Sequence, residues 1–168
     1  TKKKKEIDIL YLGAVSEDRG IFIIIKVVAC LVNIYPNLKV EIIGQIPIFI
    51  KNKIEYEINK NKLNHIIILR GYIDYTDAIE YIYRSKIGLC LLSPTKNHIK
   101  SYPTKLFDYM TAGIPIVGSN FGYLEKIINE AKCGYAVDHD NVDNIVRIIK
   151  KLLLQDNERE LMGYNGYV

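Results

Sequence analysis

Cysteine is scarce in this chain, and long apolar runs are missing. Three cysteines (Cys30, Cys90 and Cys133) occur in 168 residues, with no C-x-x-C pair and no even set for a disulfide framework. They read as buried, reduced thiols, which makes the cytoplasm the expected compartment. No apolar stretch approaches the roughly 20 residues needed to span a bilayer. The basic opening, Thr1-Lys-Lys-Lys-Lys5, has no apolar segment of signal-peptide form behind it. The histidines His65, His98 and His139 lack metal-ligand spacing, and no Asp-x-Asp pair stands out for a divalent ion, so neither a metal nor a cofactor is expected. There is no Ser/His/Asp or Cys/His arrangement for nucleophilic catalysis. The first strand–helix turn, Gly13-Ala-Val-Ser-Glu-Asp18, lacks G-x-G-x-x-G, which speaks against a dinucleotide-dependent oxidoreductase. The 13 tyrosines are scattered without a basic–aromatic stripe, which argues against nucleic acid as a partner. No internal repeat or linker is visible.

What is present is the composition of a soluble α/β domain. Hydrophobic residues make up 49% and charged residues 25%, and the length suits one domain with a sizeable core. A net charge of +4 is mild and suits an anionic substrate or an anionic membrane surface. Apolar runs of strand length alternate with helical patterns. Strands are predicted over Ile7–Leu12, Val40–Ile43, Ile66–Leu69, Ile87–Leu92, Ile114–Val117 and Gly134–Val137. Helices are predicted over Ile21–Ile34, Lys51–Lys62, Thr76–Tyr83, the segment after Pro103, Tyr123–Glu130 and Asn141–Leu154, with a further one opening at Glu158. The fold class is therefore α/β: a Rossmann-like parallel sheet with helices on both faces. Ligands of such sheets bind beyond the carboxyl ends of the strands.

One segment carries the chemistry: Ser101-Tyr-Pro-Thr-Lys-Leu-Phe-Asp-Tyr-Met-Thr-Ala-Gly-Ile-Pro-Ile-Val117. Pro103 suits a first helical turn, Leu106, Phe107 and Met110 recur at helical spacing, and Gly113 supplies the left-handed stop. The helix opens on Ser101, Thr104 and Lys105, with Asp108 one turn further on. Bare amides at a helix start beside a lysine attract phosphate, and a carboxylate one turn on accepts hydrogen bonds from a sugar diol. A nucleotide-sugar site is the expectation.

These same residues resemble the donor-site signature of the group 1 glycosyltransferases (family 4), a retaining family with the GT-B fold. The resemblance extends to Ile9-Leu-Tyr-Leu-Gly13 with Arg19-Gly20, to Val40-Glu-Ile-Ile-Gly44, to Ile68-Leu-Arg-Gly-Tyr72 and to Tyr83-Arg-Ser-Lys-Ile-Gly-Leu-Cys-Leu-Leu-Ser-Pro94. Glu125 and Gly134 sit where the family usually has a glutamate and a glycine. The likeness spans residues 1–168 but only the carboxy-terminal half of such an enzyme. It implies a nucleotide-sugar donor-binding domain whose partner, an amino-terminal acceptor domain, is absent from the chain. It also implies negligible transfer by this half alone. Cell-surface polysaccharide or glycolipid synthesis is the implied pathway, with peripheral association at the inner membrane face.

The resemblance gives roles to individual residues. Arg19 and Lys105 are expected at the leaving diphosphate, together with the backbone of Gly13, Gly20, Thr104 and Leu106. Asp108 stands for a ribose-binding glutamate. Gly71, Tyr72 and Ile73 are placed under the nucleobase, and Gly122 and Glu125 complete the rim. Three departures stand out: Ala14 replaces a second arginine, Asp108 is one methylene short, and Lys100 replaces another glutamate, leaving His98 and Lys100 as candidates near the sugar. Two other readings stay open: a nucleotide-sugar epimerase of the same architecture, and a non-catalytic glycosyltransferase-like binding module.

Overall fold

A computed structural model describes residues 4–168, so the first three residues of the basic opening lie outside the described residues. Six strands, β1 (Ile7–Leu12), β2 (Val40–Ile43), β3 (Ile67–Gly71), β4 (Ser85–Cys90), β5 (Ile116–Ser119) and β6 (Gly134–Val137), form one sheet in the order β3-β2-β1-β4-β5-β6. Every neighbouring pair is parallel. The strand order reverses between β1 and β4, and a crevice opens at the carboxyl ends on either side of such a switch point.

The four inner strands, β2, β1, β4 and β5, are buried on both faces, as their apolar sequences require, while edge strand β3 leaves Ile68 and Arg70 exposed. Alternate residues of β1 serve opposite cores: Ile9 and Tyr11 face one and Leu10 the other. The first core lies under α1 (Ile21–Leu31), α2 (Ile48–Lys60) and α7 (Val142–Leu154). The second lies under α3 (Tyr75–Tyr83), α5 (Thr104–Thr111) and α6 (Gly122–Ala131). Helix α7 buries Ile145, Ile148, Ile149 and Leu152, the face its periodicity predicts. A last helix, α8 (Asp156–Tyr167), packs against α5 and α7 and extends beyond the helix predicted over Glu158–Met162 at both ends.

Some expectations need correction. The five-residue helix α4 (Lys96–Lys100) was not predicted; it is capped by Thr95, whose Oγ1 accepts the His98 N–H at 3.1 Å. Pro103 is the N-cap of α5 and not its first turn. Phe107 is exposed, and the buried face of α5 is Lys105, Leu106 and Tyr109. Cys30 is exposed, whereas Cys90 and Cys133 are buried.

Tyr109 explains how α5 is fixed to the switch point. Its hydroxyl accepts the Leu12 N–H at 3.0 Å and reaches the Leu89 carbonyl at 3.2 Å, satisfying backbone groups where β1 and β4 diverge. The ring lies flat on Gly88, where a Cβ would fall 2.5 Å from it. At the sheet edge, buried Glu41 of β2 accepts two hydrogen bonds from Arg70 of β3, at 2.7 and 2.9 Å. That pair holds the β3 end in place for the loop that follows it.

Candidate functional site

A cleft of about 720 Å³ lies at the carboxyl ends of the strands, over the switch point. Its walls come from four segments: Gly13 to Arg19 after β1, Tyr72 to Tyr75 after β3, His98 to Tyr102 after β4, and the first turn of α5. A second hollow, about 560 Å³, lies at the amino ends of the strands against Lys86, Gly113 and Pro115. Of its cations, Lys86 and Arg159 are already bonded, to Asp8 and to Asp156 with the Leu152 carbonyl, and Lys5 likewise has a partner. The first cleft holds the unspent charge and is the candidate site.

Lys105 is the unusual residue in it. The sequence places it in the first turn of α5, where a lysine is ordinarily solvated, yet it is only 5% exposed. Its Nζ has no hydrogen-bond partner among the described residues and sits 3.8 Å from the centre of the Tyr11 ring. The stem runs along Gly13, so close that a Cβ there would lie 3.3 Å from Cε and Nζ. Burial pushes its ammonium down to about 8, with Cys90 opposing that shift and the nearby Arg19 charge adding to it. An unpaired buried ammonium beside a ring face is incompletely solvated, and an anion in the cleft would supply the missing partner.

Backbone amides at the start of α5 lie beside this cation. The Leu106 N–H is taken by the Pro103 carbonyl at 3.0 Å, but those of Thr104 and Lys105 have no partner among the described residues. They stand at the positive end of α5. Arg19 lines the same cleft with no ion pair or side-chain hydrogen bond among the described residues. It does not neutralise its acidic neighbour Asp18. That carboxylate accepts the Ser16 hydroxyl and lies 3.7 Å from His98 Nε2, while the Asp18 carbonyl accepts the Ser93 N–H at 2.8 Å. His98 Nδ1 is 2.9 Å from the Ser93 carbonyl, so this network laces the loop after β1 to the loop after β4.

Asp108 projects from the α5 face one turn beyond Thr104, towards the β3 side of the cleft. Its Oδ1 accepts the Tyr75 hydroxyl at 2.7 Å. Tyr72 and Ile73 line the same end. On the other side, Tyr102 and Tyr123 stack with ring centres 4.2 Å apart.

A family model described as "Glycosyl transferases group 1" matches residues 1–168. The chain belongs to the group 1 glycosyltransferases. A curated relative, the poly(glycerol-phosphate) alpha-glucosyltransferase of Bacillus subtilis (strain 168), is 21% identical over 144 residues. That alignment covers 85% of this chain and 20% of the relative, so the chain spans about a fifth of that protein's length. Among solved structures, the C-terminal domain of the group 1 family protein LpcC from Francisella tularensis superposes with a TM-score of 0.83 at 19% identity, covering 98% of this chain and 84% of that one. A point mutant of S. aureus TarM, in complex with Fondaparinux, alpha-GlcNAc-glycerol and UDP, superposes with a TM-score of 0.84 at 19% identity, covering 99% of this chain and 32% of that one. These superpositions show that this group 1 domain has the fold of a GT-B carboxy-terminal domain.

Of the predicted site residues, Gly13, Arg19, Tyr72, Ile73, Thr104, Lys105 and Asp108 come together in the cleft of this group 1 domain. Others do not reach it. Leu106 is wholly buried in the second core, and its amide is occupied, so it cannot touch a ligand. Gly20 is buried; a Cβ there would lie 2.4 Å from the Leu91 carbonyl, so it serves the packing of α1 on the end of β4. The Gly71 carbonyl accepts the Gly44 N–H, tying β3 to β2. Gly122 lies under the Ile99 carbonyl, where a Cβ would come within 2.5 Å, and Glu125 is part-buried in the first turn of α6; neither lines the cleft. Tyr11 and Tyr75 were not predicted, because their partners lie 94 and 33 residues away in sequence. Asp138, His139 and Asp140, an Asp-x-Asp pair passed over in the sequence, hold their ligand atoms within 4.8 Å of one another. The two aspartates are exposed, and the cluster follows β6 at the sheet edge, away from the switch point.

Proposed function

We propose that this chain binds the nucleotide-diphosphate sugar donor of a retaining glycosyltransferase, as the carboxy-terminal half of a two-domain enzyme. One observation carries the reading: the buried Lys105 ammonium, without a hydrogen-bond partner among the described residues, beside a cleft that also presents Arg19 and the Thr104 and Lys105 amides. Transfer requires that charge on the departing diphosphate be stabilised as the glycosidic bond breaks, and positive groups fixed in advance do this without reorganisation. Lys105, Arg19 and the α5 amides take that role; Asp108 holds the nucleoside and so positions the donor. Tyr72 and Ile73 give the base an apolar wall. The neutralising charge comes from the chain, and the proposal calls for no metal or cofactor.

The acceptor is assigned to an amino-terminal domain outside this chain, so the isolated domain is expected to bind donor without transferring sugar. A surface polymer or glycolipid is the proposed acceptor class, supported by the poly(glycerol-phosphate) relative. A peripheral position at the cytoplasmic membrane face is part of the same proposal, supported by the +4 charge. The experiment is calorimetric titration with UDP, GDP, UMP and GMP. At least one diphosphate is expected to bind about tenfold or more tightly than its monophosphate, the second phosphate supplying the charge-assisted contacts. Failure of both diphosphates to bind at millimolar concentration would overturn the reading.

A further inference from the structure

We propose that Tyr75 is a ribose-recognising residue: with Asp108 it forms a composite acceptor for the vicinal diol of a ribonucleotide, and so makes the site selective against deoxynucleotides. This rests on the nucleotide-binding reading above and adds to it a specificity-determining residue.

The geometry starts from two elements that meet over the β3 side of the cleft. Tyr75 is the first residue of α3, directly after its N-cap Asp74, so its side chain leaves the helix at the cleft wall. Asp108 leaves α5 from the facing wall. The hydroxyl donates to Asp108 Oδ1 at 2.7 Å, while Oδ2 has no partner among the described residues. The Asp108 carboxylate raises the Tyr75 hydroxyl above the ordinary phenol range, by the hydrogen bond first and then by its charge, so Tyr75 remains a donor at neutral pH. With its one O–H directed at Asp108, the phenolic oxygen can only accept from a ligand, through its lone pairs.

A carboxylate alone can take both hydroxyls of a diol. Here one of its oxygens is partly spent on Tyr75, so the pair offers a row of acceptors in its place: Oδ2, Oδ1 and the tyrosine oxygen. Two adjacent O–H groups fit such a row, and loss of either leaves one of its acceptors without a ligand donor. Tyr75 thus extends the reach of a short acidic side chain and fixes its rotamer. It is mostly exposed and makes this one side-chain hydrogen bond, so a purely structural role would leave nucleotide selectivity unaffected.

The test is titration of wild type and Tyr75→Phe with the better of UDP and GDP, and with its 2′-deoxy and 3′-deoxy forms. Wild type is expected to discriminate against both deoxy forms by about five- to tenfold or more. Tyr75→Phe is expected to keep its thermal midpoint, bind the ribonucleotide about five- to tenfold more weakly, and lose discrimination against one deoxy form. The inference is overturned if the variant still discriminates against both deoxy forms, weakens for all three ligands equally, or binds more tightly because Tyr75 merely blocked Asp108. Binding of neither diphosphate to wild type would overturn the underlying reading and this inference together. Binding with unchanged selectivity would overturn this inference alone.

Discussion

Lys105→Met should make the protein more stable and nearly abolish nucleotide binding. Methionine matches the lysine stem in length and keeps its contacts with Tyr11 and Gly13, but brings no charge to be desolvated. Removing an unpaired buried ammonium and leaving an apolar chain of similar shape is expected to raise the unfolding free energy by about 1–3 kcal/mol at pH 7. The same change removes the ammonium assigned to the diphosphate and should weaken UDP or GDP by roughly 30- to 100-fold, a loss of about 2–3 kcal/mol. Denaturant unfolding and calorimetry measure the two effects. A destabilised Lys105→Met that binds nucleotide normally would mean the lysine is structural.

The pH dependence follows from the same group. Lys105 is held down to about 8 in the folded chain, against 10.5 for an ordinary lysine. Below about pH 8 it is protonated whether the chain is folded or not, and the full penalty of burying its charge is present. Between about pH 8 and 10.5 the unfolded chain holds the proton more often, so folded stability rises with pH. The stability gap between Lys105→Met and wild type should therefore narrow across that window, by up to about 3 kcal/mol. Bound diphosphate supplies the missing partner and should draw the ammonium back up, so binding near pH 8.5 is expected to take up a proton. Calorimetry in buffers of different ionisation enthalpy detects that uptake, and its absence would show that the ligand does not meet Lys105.

The second large effect is expected at Gly44. It ends β2 beneath the cleft, with φ at +152° and its N–H donated to the Gly71 carbonyl. A Cβ there would fall 1.8 Å from the Gly13 carbonyl oxygen, and backbone cannot step aside as a flexible side chain would. Gly13 is in turn the surface on which Lys105 lies. Gly44→Ala should therefore cost about 4 kcal/mol or more and disturb the anion cradle along with the fold. Gly71→Ala is the internal comparison. Its φ is +71°, but an added Cβ would meet nothing within 4 Å, so only the backbone strain of about 1–2 kcal/mol is expected. Equal effects at the two positions would show that the close approach at Gly44 does not matter.

The fold was largely legible because its signals are local. Strand runs buried on both faces, helix periodicity and the Gly113 stop each depend on residues close in sequence. The misreadings are equally physical. Helix α4 is a single turn set by one threonine cap, too short for periodicity to register. Phe107 fits the apolar pattern of α5 but faces outward, while Lys105 carries its charge inward. Hydrophobicity cannot reveal that exchange, because it is made possible by a distant ring and a glycine. That the α5 start and Lys105 lie in a cleft at the carboxyl ends of the strands was readable from the segment itself. The Tyr75–Asp108 pair was not, since it is a contact between two walls that only the folded sheet brings together. Gly20, Leu106 and Gly122 lie beside site residues in sequence, yet they serve packing.

The most direct test is a crystal structure of this chain with UDP or GDP bound. The pyrophosphate oxygens should lie within hydrogen-bonding distance of Lys105 Nζ and the Thr104 and Lys105 amides, with the ribose at Asp108. A diphosphate bound elsewhere, with Lys105 still lying unpaired over Tyr11, would contradict the account.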